Sequence, residues 1–169
     1  MNNAFSPLEG GCACGAVRYR ILAPPMFVHA CHCSSCQRQT GAWHAVNALV
    51  ESREVALLSG TLHHVKLSTP SGAGQTIARC DCCGTALWSN YHALCRGEHD
   101  RVRFVRVGTL DEPQKLPPDV HIFTAERNAA APLPTEAPSF EAFYSMQDLW
   151  PSASLRRLAS LFEEEVVTQ

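Results

Sequence analysis

Eight of the nine cysteines in this chain fall into three short clusters, and no other feature restricts its fold as strongly. The clusters are Cys12-Ala13-Cys14, Cys31-His32-Cys33-Ser34-Ser35-Cys36 and Cys80-Asp81-Cys82-Cys83, with Cys95 standing apart. The stretch Met1-Asn2-Asn3-Ala4-Phe5-Ser6 lacks the basic start and apolar run of a secretory leader, and no apolar run approaches the roughly 20 residues of a membrane span. A cytoplasmic protein that does not engage a membrane is therefore expected. In a reducing compartment an odd number of thiols points to metal ligands or reactive groups rather than to a disulfide framework.

Tetrahedral zinc with bonds of about 2.3 Å brings its thiolates roughly 3.8 Å apart, closer than a flat strand allows, so the backbone must curl around the ion. Gly10-Gly11 before Cys12 and Gly15 after Cys14 permit such a path, and Gly84 gives the loop after Cys83 the same freedom. Cys12 with Cys14 and Cys80 with Cys83 then form two half-sites, whose four thiolates make the closed set of a structural zinc. Cys31, Cys33 and Cys36 remain as a separate three-sulfur set. Three ligands leave a tetrahedral position free for chemistry, unless one of the eight histidines, His29, His32 or His44 among them, closes it. Spacing admits both arrangements. Cys95 reads as an ordinary buried thiol, as does Cys82, whose neighbour Cys83 has the better ligand spacing.

Between the clusters the chain reads as short strands. Val17, Tyr19 and Ile21 alternate with Arg18 and Arg20 up to Pro24-Pro25. Further β-like runs are 43–50, 55–58, 61–67, 76–79, 85–88, 101–107 and 120–124. In the 101–107 run the arginines move from odd to even positions, which predicts a bulge. Six prolines from Pro113 to Pro138 predict mostly loop there. Leu155, Leu158, Ala159, Phe162 and Val166 follow helical spacing, which predicts a terminal helix capped by Ser152 or Ser154. Its apolar stripe is expected to dock on the protein's own sheet. Glu163, Glu164 and Glu165 oppose its C-terminal dipole, so fraying is expected at that end.

A chain of 169 residues suits one compact domain. With a formal net charge of −2 and no basic run, it is not expected to bind nucleic acid.

Three segments carry a family resemblance: Gly10-Gly11-Cys12-Ala13-Cys14-Gly15-Ala16-Val17-Arg18-Tyr19, Cys31-His32-Cys33-Ser34-Ser35-Cys36-Gln37-Arg38-Gln39-Thr40-Gly41, and Cys80-Asp81-Cys82-Cys83-Gly84-Thr85. In order and spacing they resemble the glutathione-dependent formaldehyde-activating enzymes. Val107-Gly108-Thr109-Leu110-Asp111-Glu112-Pro113 and His121-Ile122-Phe123 extend the likeness, which runs from about Gly10 to about Phe143. The resemblance implies a mainly β fold of several short, coiled antiparallel sheets around a structural zinc, here with a C-terminal helix. It implies two zinc ions per chain, a structural one on Cys12, Cys14, Cys80 and Cys83 and a catalytic one on Cys31, Cys33 and Cys36. Residues 1–143 would form the zinc-binding domain, and residues 144–169 a C-terminal extension with the amphipathic helix. Many members carry a Pro-Trp pair after the His-containing strand, where this chain has Asn128-Ala129-Ala130-Ala131-Pro132.

The activity implied is that of S-(hydroxymethyl)glutathione synthase, a zinc-dependent carbon–sulfur lyase that joins formaldehyde reversibly to the sulfur of glutathione. A free thiol is only a few per cent ionised at neutral pH, and zinc would supply the missing thiolate. Three zinc-bound thiolates already carry net negative charge, so nearby donors must offset a fourth. Gln37 and Arg38 follow Cys36 directly, and Arg38 suits a substrate carboxylate. His32 and His44 are candidates to shuttle the hydroxyl proton of the adduct, ahead of Tyr91, His92 and His99. Two other readings stand beside this one: a lyase acting on a different thiol adduct, and a non-catalytic zinc module that binds a protein partner.

Overall fold

The computed structural model describes residues 5–97 and 100–163. Their contacts divide them into two units, one of residues 5–25 and 47–117 and the other of residues 26–46 and 118–163.

In the first unit β1 (Leu8–Gly11), β2 (Arg18–Ile21) and β5 (Val55–Ser59) form an antiparallel sheet in the order β1-β2-β5. Strands β6 (Leu62–Leu67), β7 (Gln75–Cys80), β8 (Ala86–Tyr91) and β9 (Val102–Arg106) follow as an antiparallel meander. Strand β9 then pairs with β4 (Ala45–Glu51) through Asn47–Glu51. The alternation foreseen in β2 holds: Tyr19 and Ile21 are fully buried while Arg18 and Arg20 are half-exposed. Both arginines pair with Glu9 across the strand, and Arg18 also grips Asp111. Tyr19 meets Trp88 edge-on at 5.7 Å, and Leu49, Val50, Ile77, Leu87, Val102 and Val105 complete this core.

The bulge expected at 101–107 is absent. Strand β9 keeps an unbroken register against β4, from Val102↔Glu51 to Arg106↔Asn47. The arginine parity changes because Arg106 is a buried residue, tied to the Asn47 side chain, rather than a solvent-facing one. Register shifts occur instead between Arg18 and Tyr19, where β2 faces β5, and between Ala78 and Arg79, where β7 faces β8.

In the second unit β3 (Phe27–Cys31) lies parallel to β10 (Val120–Ile122), with Val120 opposite His29, His121 opposite Ala30 and Ile122 opposite Cys31. This pairing departs from the antiparallel sheets expected. Every residue of β3 is buried, His29 included, so its sequence shows no alternation of apolar and polar residues. A seven-residue helix, α1 (Ser34–Thr40), follows it. The C-terminal helix spans Ser152–Glu163 and buries Leu158. Its first turn closes with the Leu155 N–H on the Pro151 carbonyl at 3.1 Å, so Pro151 holds the N-cap position and both serines proposed as caps lie within the helix. Val166 and most of the expected fraying, at Glu164 and Glu165, lie outside the described residues. Ahead of this helix, Trp150 stacks on Phe27 at 5.2 Å. The chain is thus mainly β with a C-terminal helix, as foreseen.

Candidate functional site

The first and third cysteine clusters meet in the first unit. The Cys12–Gly15 loop leaves β1 and turns back at Gly15, whose φ of +76° disfavours any side chain. Its Cys12 N–H bonds to the Val17 carbonyl at 3.1 Å, and the Val17 N–H points at the Cys12 sulfur at 3.2 Å. The second loop joins β7 to β8 and turns the same way at Gly84, with φ +73° and its N–H on the Cys80 carbonyl at 2.9 Å. The sulfurs of Cys12, Cys14, Cys80 and Cys83 all lie within 4.8 Å of one another. Cys12 and Cys14 are 3.4 Å apart and Cys14 and Cys80 3.9 Å, near the roughly 3.8 Å edge of a zinc–thiolate tetrahedron.

Thr85 stitches the two loops together, a role the sequence reading did not assign. Its hydroxyl accepts the Ala13 N–H at 3.2 Å and lies 3.1 Å from the Cys83 sulfur. That hydroxyl and the Thr85 N–H hold the Cys83 thiol down at about 5, and the Val17 N–H lowers Cys12. Four soft sulfur donors at this spacing, two of them favoured as thiolates by neighbouring donors, fit a metal ion such as zinc. Cys82 is exposed and outside the group. Cys95 is buried, with its thiol pushed up by desolvation and directed at the Val102 carbonyl.

The middle cluster forms a second group in the other unit. Cys31 ends β3, Cys33 occupies the N-cap of α1, and Cys36 lies in the first turn. Their sulfurs lie within 4.8 Å of one another, with Cys31 and Cys33 3.5 Å apart. The neighbouring thiols of Cys31 and Cys36, with the N–H groups of Cys36 and Ser35, lower the Cys33 thiol far below its ordinary range. Cys31 moves the opposite way, pushed up by its thiol neighbours and by burial. Among the described residues no histidine nitrogen joins this group, so it also fits a metal ion but offers three ligands rather than four.

The histidines are engaged elsewhere. His32 is fully buried, its Nε2 2.9 Å from Nδ1 of His121 and its ring 4.8 Å from that of His44. The Nδ1 atoms of His32 and His44 are buried without a hydrogen-bond partner. Desolvation, reinforced by His44 and His121, lowers His32 to about 4, and desolvation lowers His44 as well. His29 points into an aromatic cluster, where its Nε2 lies 2.7 Å from the Tyr144 hydroxyl; that oxygen also accepts the Trp150 Nε1–H at 2.6 Å. In the sequence His121 stands out only as part of a motif. Its place beside His32 depends on the parallel β3–β10 pairing, which local spacing cannot reveal.

Gln37 is used internally, its Nε2 donating to the His32 carbonyl at 2.7 Å and to the Glu126 carbonyl at 2.9 Å. The Glu126 carboxylate accepts the Ser34 N–H at 2.8 Å and so steadies the start of α1. Arg38 is exposed on α1. Arg127 bonds the Ala131 carbonyl at 3.0 Å and organises the 128–131 turn. In the first unit Tyr91 donates to Ser71, and His92 lies between Thr76 and the Ala73 carbonyl. His99 lies outside the described residues.

A Halomonas elongata protein, provisionally named a glutathione-dependent formaldehyde-activating enzyme, is 32% identical over 87 residues. That match covers 48% of this chain and 54% of the relative, so the chain spans about half the length of the protein it matches. A crystal structure of a Rhodobacter sphaeroides protein covers 79% of this chain and all of that one, at 16% identity and a TM-score of 0.44. Among the described residues no helix is long and apolar enough to cross a membrane. The family model of the glutathione-dependent formaldehyde-activating enzymes matches residues 7–126, a span that includes all seven grouped cysteines, and the chain belongs to that family.

Proposed function

We propose that this protein is a zinc-dependent carbon–sulfur lyase acting on a thiol–carbonyl adduct, with S-(hydroxymethyl)glutathione as the substrate and glutathione and formaldehyde as the products. The observation that carries this reading is the three-sulfur group of Cys31, Cys33 and Cys36, which no histidine among the described residues completes. Cys12, Cys14, Cys80 and Cys83 would hold a structural zinc, and Cys31, Cys33 and Cys36 a second zinc with a free position. Bound there, zinc would stabilise a substrate sulfur as thiolate at neutral pH, the form that leaves or attacks carbon.

The chain's own residues serve this chemistry in distinct ways. The N–H groups of Ser35 and Cys36 face Cys33 and offset part of the negative charge that accumulates on four thiolates. Gln37 fixes the loop that carries the cysteines through the two hydrogen bonds of its Nε2, which supports a positioning role. Exposed Arg38 is free to meet a substrate carboxylate. In the cleavage direction the adduct's hydroxyl loses its proton, the C–S bond breaks with its electron pair going to sulfur, and the carbonyl forms. His32 and His44, kept neutral by burial and each with an unpartnered Nδ1, are the nearby groups suited to that proton. The expected setting is the cytoplasm, with neither nucleic acid nor membrane as a partner.

Cobalt substitution tests the open site. Glutathione added to cobalt-loaded protein should intensify the sulfur-to-cobalt absorption, and Cys33→Ser should remove that response. A fully loaded wild type whose spectrum ignores glutathione would overturn the reading.

A further inference from the structure

We propose that Phe143, backed by Phe123, forms a specificity-determining wall that binds an apolar or aromatic substituent carried within a few bonds of the reacting sulfur. This inference rests on the three-cysteine site proposed above and adds to its substrates a second class of adduct, since neither glutathione nor formaldehyde carries such a group.

Phe27, His29 and Cys31 alternate along β3 and so share one face, with His29 a single two-residue step, roughly 7 Å, from Cys31. That face is covered by aromatic rings. Around His29 lie Phe27 at 5.6 Å, Tyr144 at 5.7 Å, Phe143 at 5.9 Å and Trp150 at 6.3 Å. Phe27, Tyr144 and Trp150 are buried, but Phe143 is 49% exposed. One side of its ring stacks on Tyr144 at 4.9 Å, and much of the remainder is free to receive a ligand group.

A single exposed phenylalanine would carry little weight. Here a second, independent feature accompanies it. Phe123 adopts a left-handed backbone, with φ 56° and ψ 41°, a conformation strongly disfavoured for an aromatic residue. Its N–H meets the Ala142 carbonyl at 3.3 Å and its carbonyl accepts the Glu126 N–H at 3.1 Å, while its ring lies 6.3 Å from that of Phe143. Strain of this kind is retained where surrounding structure holds it for a purpose. The same turn touches the three-cysteine loop directly: Ile122 accepts the His32 N–H at 2.9 Å and pairs with Cys31, and Glu126 anchors Ser34. Phe143 lies beyond the residues matched by the family model, so this half of the wall belongs to the chain's own C-terminal segment.

Calorimetric titration of the zinc-loaded protein with 2-phenylethanethiol and with ethanethiol separates the wall from the metal. Wild type should bind the phenyl thiol about tenfold more tightly, equivalent to about 1.4 kcal/mol. Phe143→Ala should bind both thiols alike, and Phe143→Trp should restore the preference. Equal affinities in wild type, or a preference that survives Phe143→Ala, would overturn the wall while leaving the open metal site standing. If neither thiol bound, the open site and the wall would both fall.

Discussion

The sulfur of Cys33 accepts the backbone N–H of Cys36 at 3.4 Å, so one member of the three-sulfur group is also the N-cap of α1. In the proposed site, metal binding and helix initiation therefore share an atom, and a substitution there can separate the two. Serine caps helices well, so Cys33→Ser should leave α1 and the fold in place while weakening metal binding at this group alone. At the four-sulfur group the consequence should differ. A structural zinc contributes about 10–16 kcal/mol of apparent binding energy, against a domain stability of about 5–15 kcal/mol. Cys83→Ser should therefore unfold or aggregate the protein. Elemental analysis and thermal melts of both variants check this: two zinc ions are expected in wild type and one in a folded Cys33→Ser. An unfolded Cys33→Ser beside an intact Cys83→Ser would reverse the two assignments.

His121 supports the middle cluster from a neighbouring strand, through its contact with Nε2 of His32. His121→Phe fills the volume but leaves that buried nitrogen unpaired, at a cost of about 1–3 kcal/mol. The melting temperature of zinc-loaded protein should fall by about 2–4 °C for each kcal/mol lost. An unchanged melting temperature would show that the pair contributes nothing to stability.

Tyr19 provides a pH test within the first core. Its hydroxyl lies 2.7 Å from that of Thr109, and burial pushes the phenol up to about 12, above its ordinary value near 10. A raised folded-state value means that this stability is fully present below pH 10 and is lost as pH climbs towards 12, about 3 kcal/mol in all. Burial also pushes the Tyr144 phenol up to about 12, so wild type must be compared with Tyr19→Phe. Denaturant melts at pH 8 and pH 11 should show a smaller alkaline loss in Tyr19→Phe. An identical loss in both proteins would contradict the assignment.

What could be read in advance followed from local regularity. Alternation in Val17–Ile21 gave β2, and the spaced cysteines with Gly15 and Gly84 gave the four-sulfur loops. Strand β1 is hidden in the sequence because Gly10-Gly11 resembles a turn, and β3 because Phe27–Cys31 is buried throughout and shows no period of two. Helix α1 buries no residue, so it has no apolar stripe to detect. Gln37 and His121 acquire their roles from contacts about 90 residues away along the chain, which spacing does not encode.

In the function proposed above, the group of Cys31, Cys33 and Cys36 makes and breaks a carbon–sulfur bond. NMR exchange spectroscopy on a mixture of formaldehyde and glutathione measures that directly, because the adduct also forms unaided and the rate above background is the relevant quantity. Zinc-loaded wild type should accelerate exchange between formaldehyde and its glutathione adduct, and Cys33→Ser at equal concentration should leave the background rate. Equal rates in the two proteins, with the wild type fully loaded with zinc, would contradict the account.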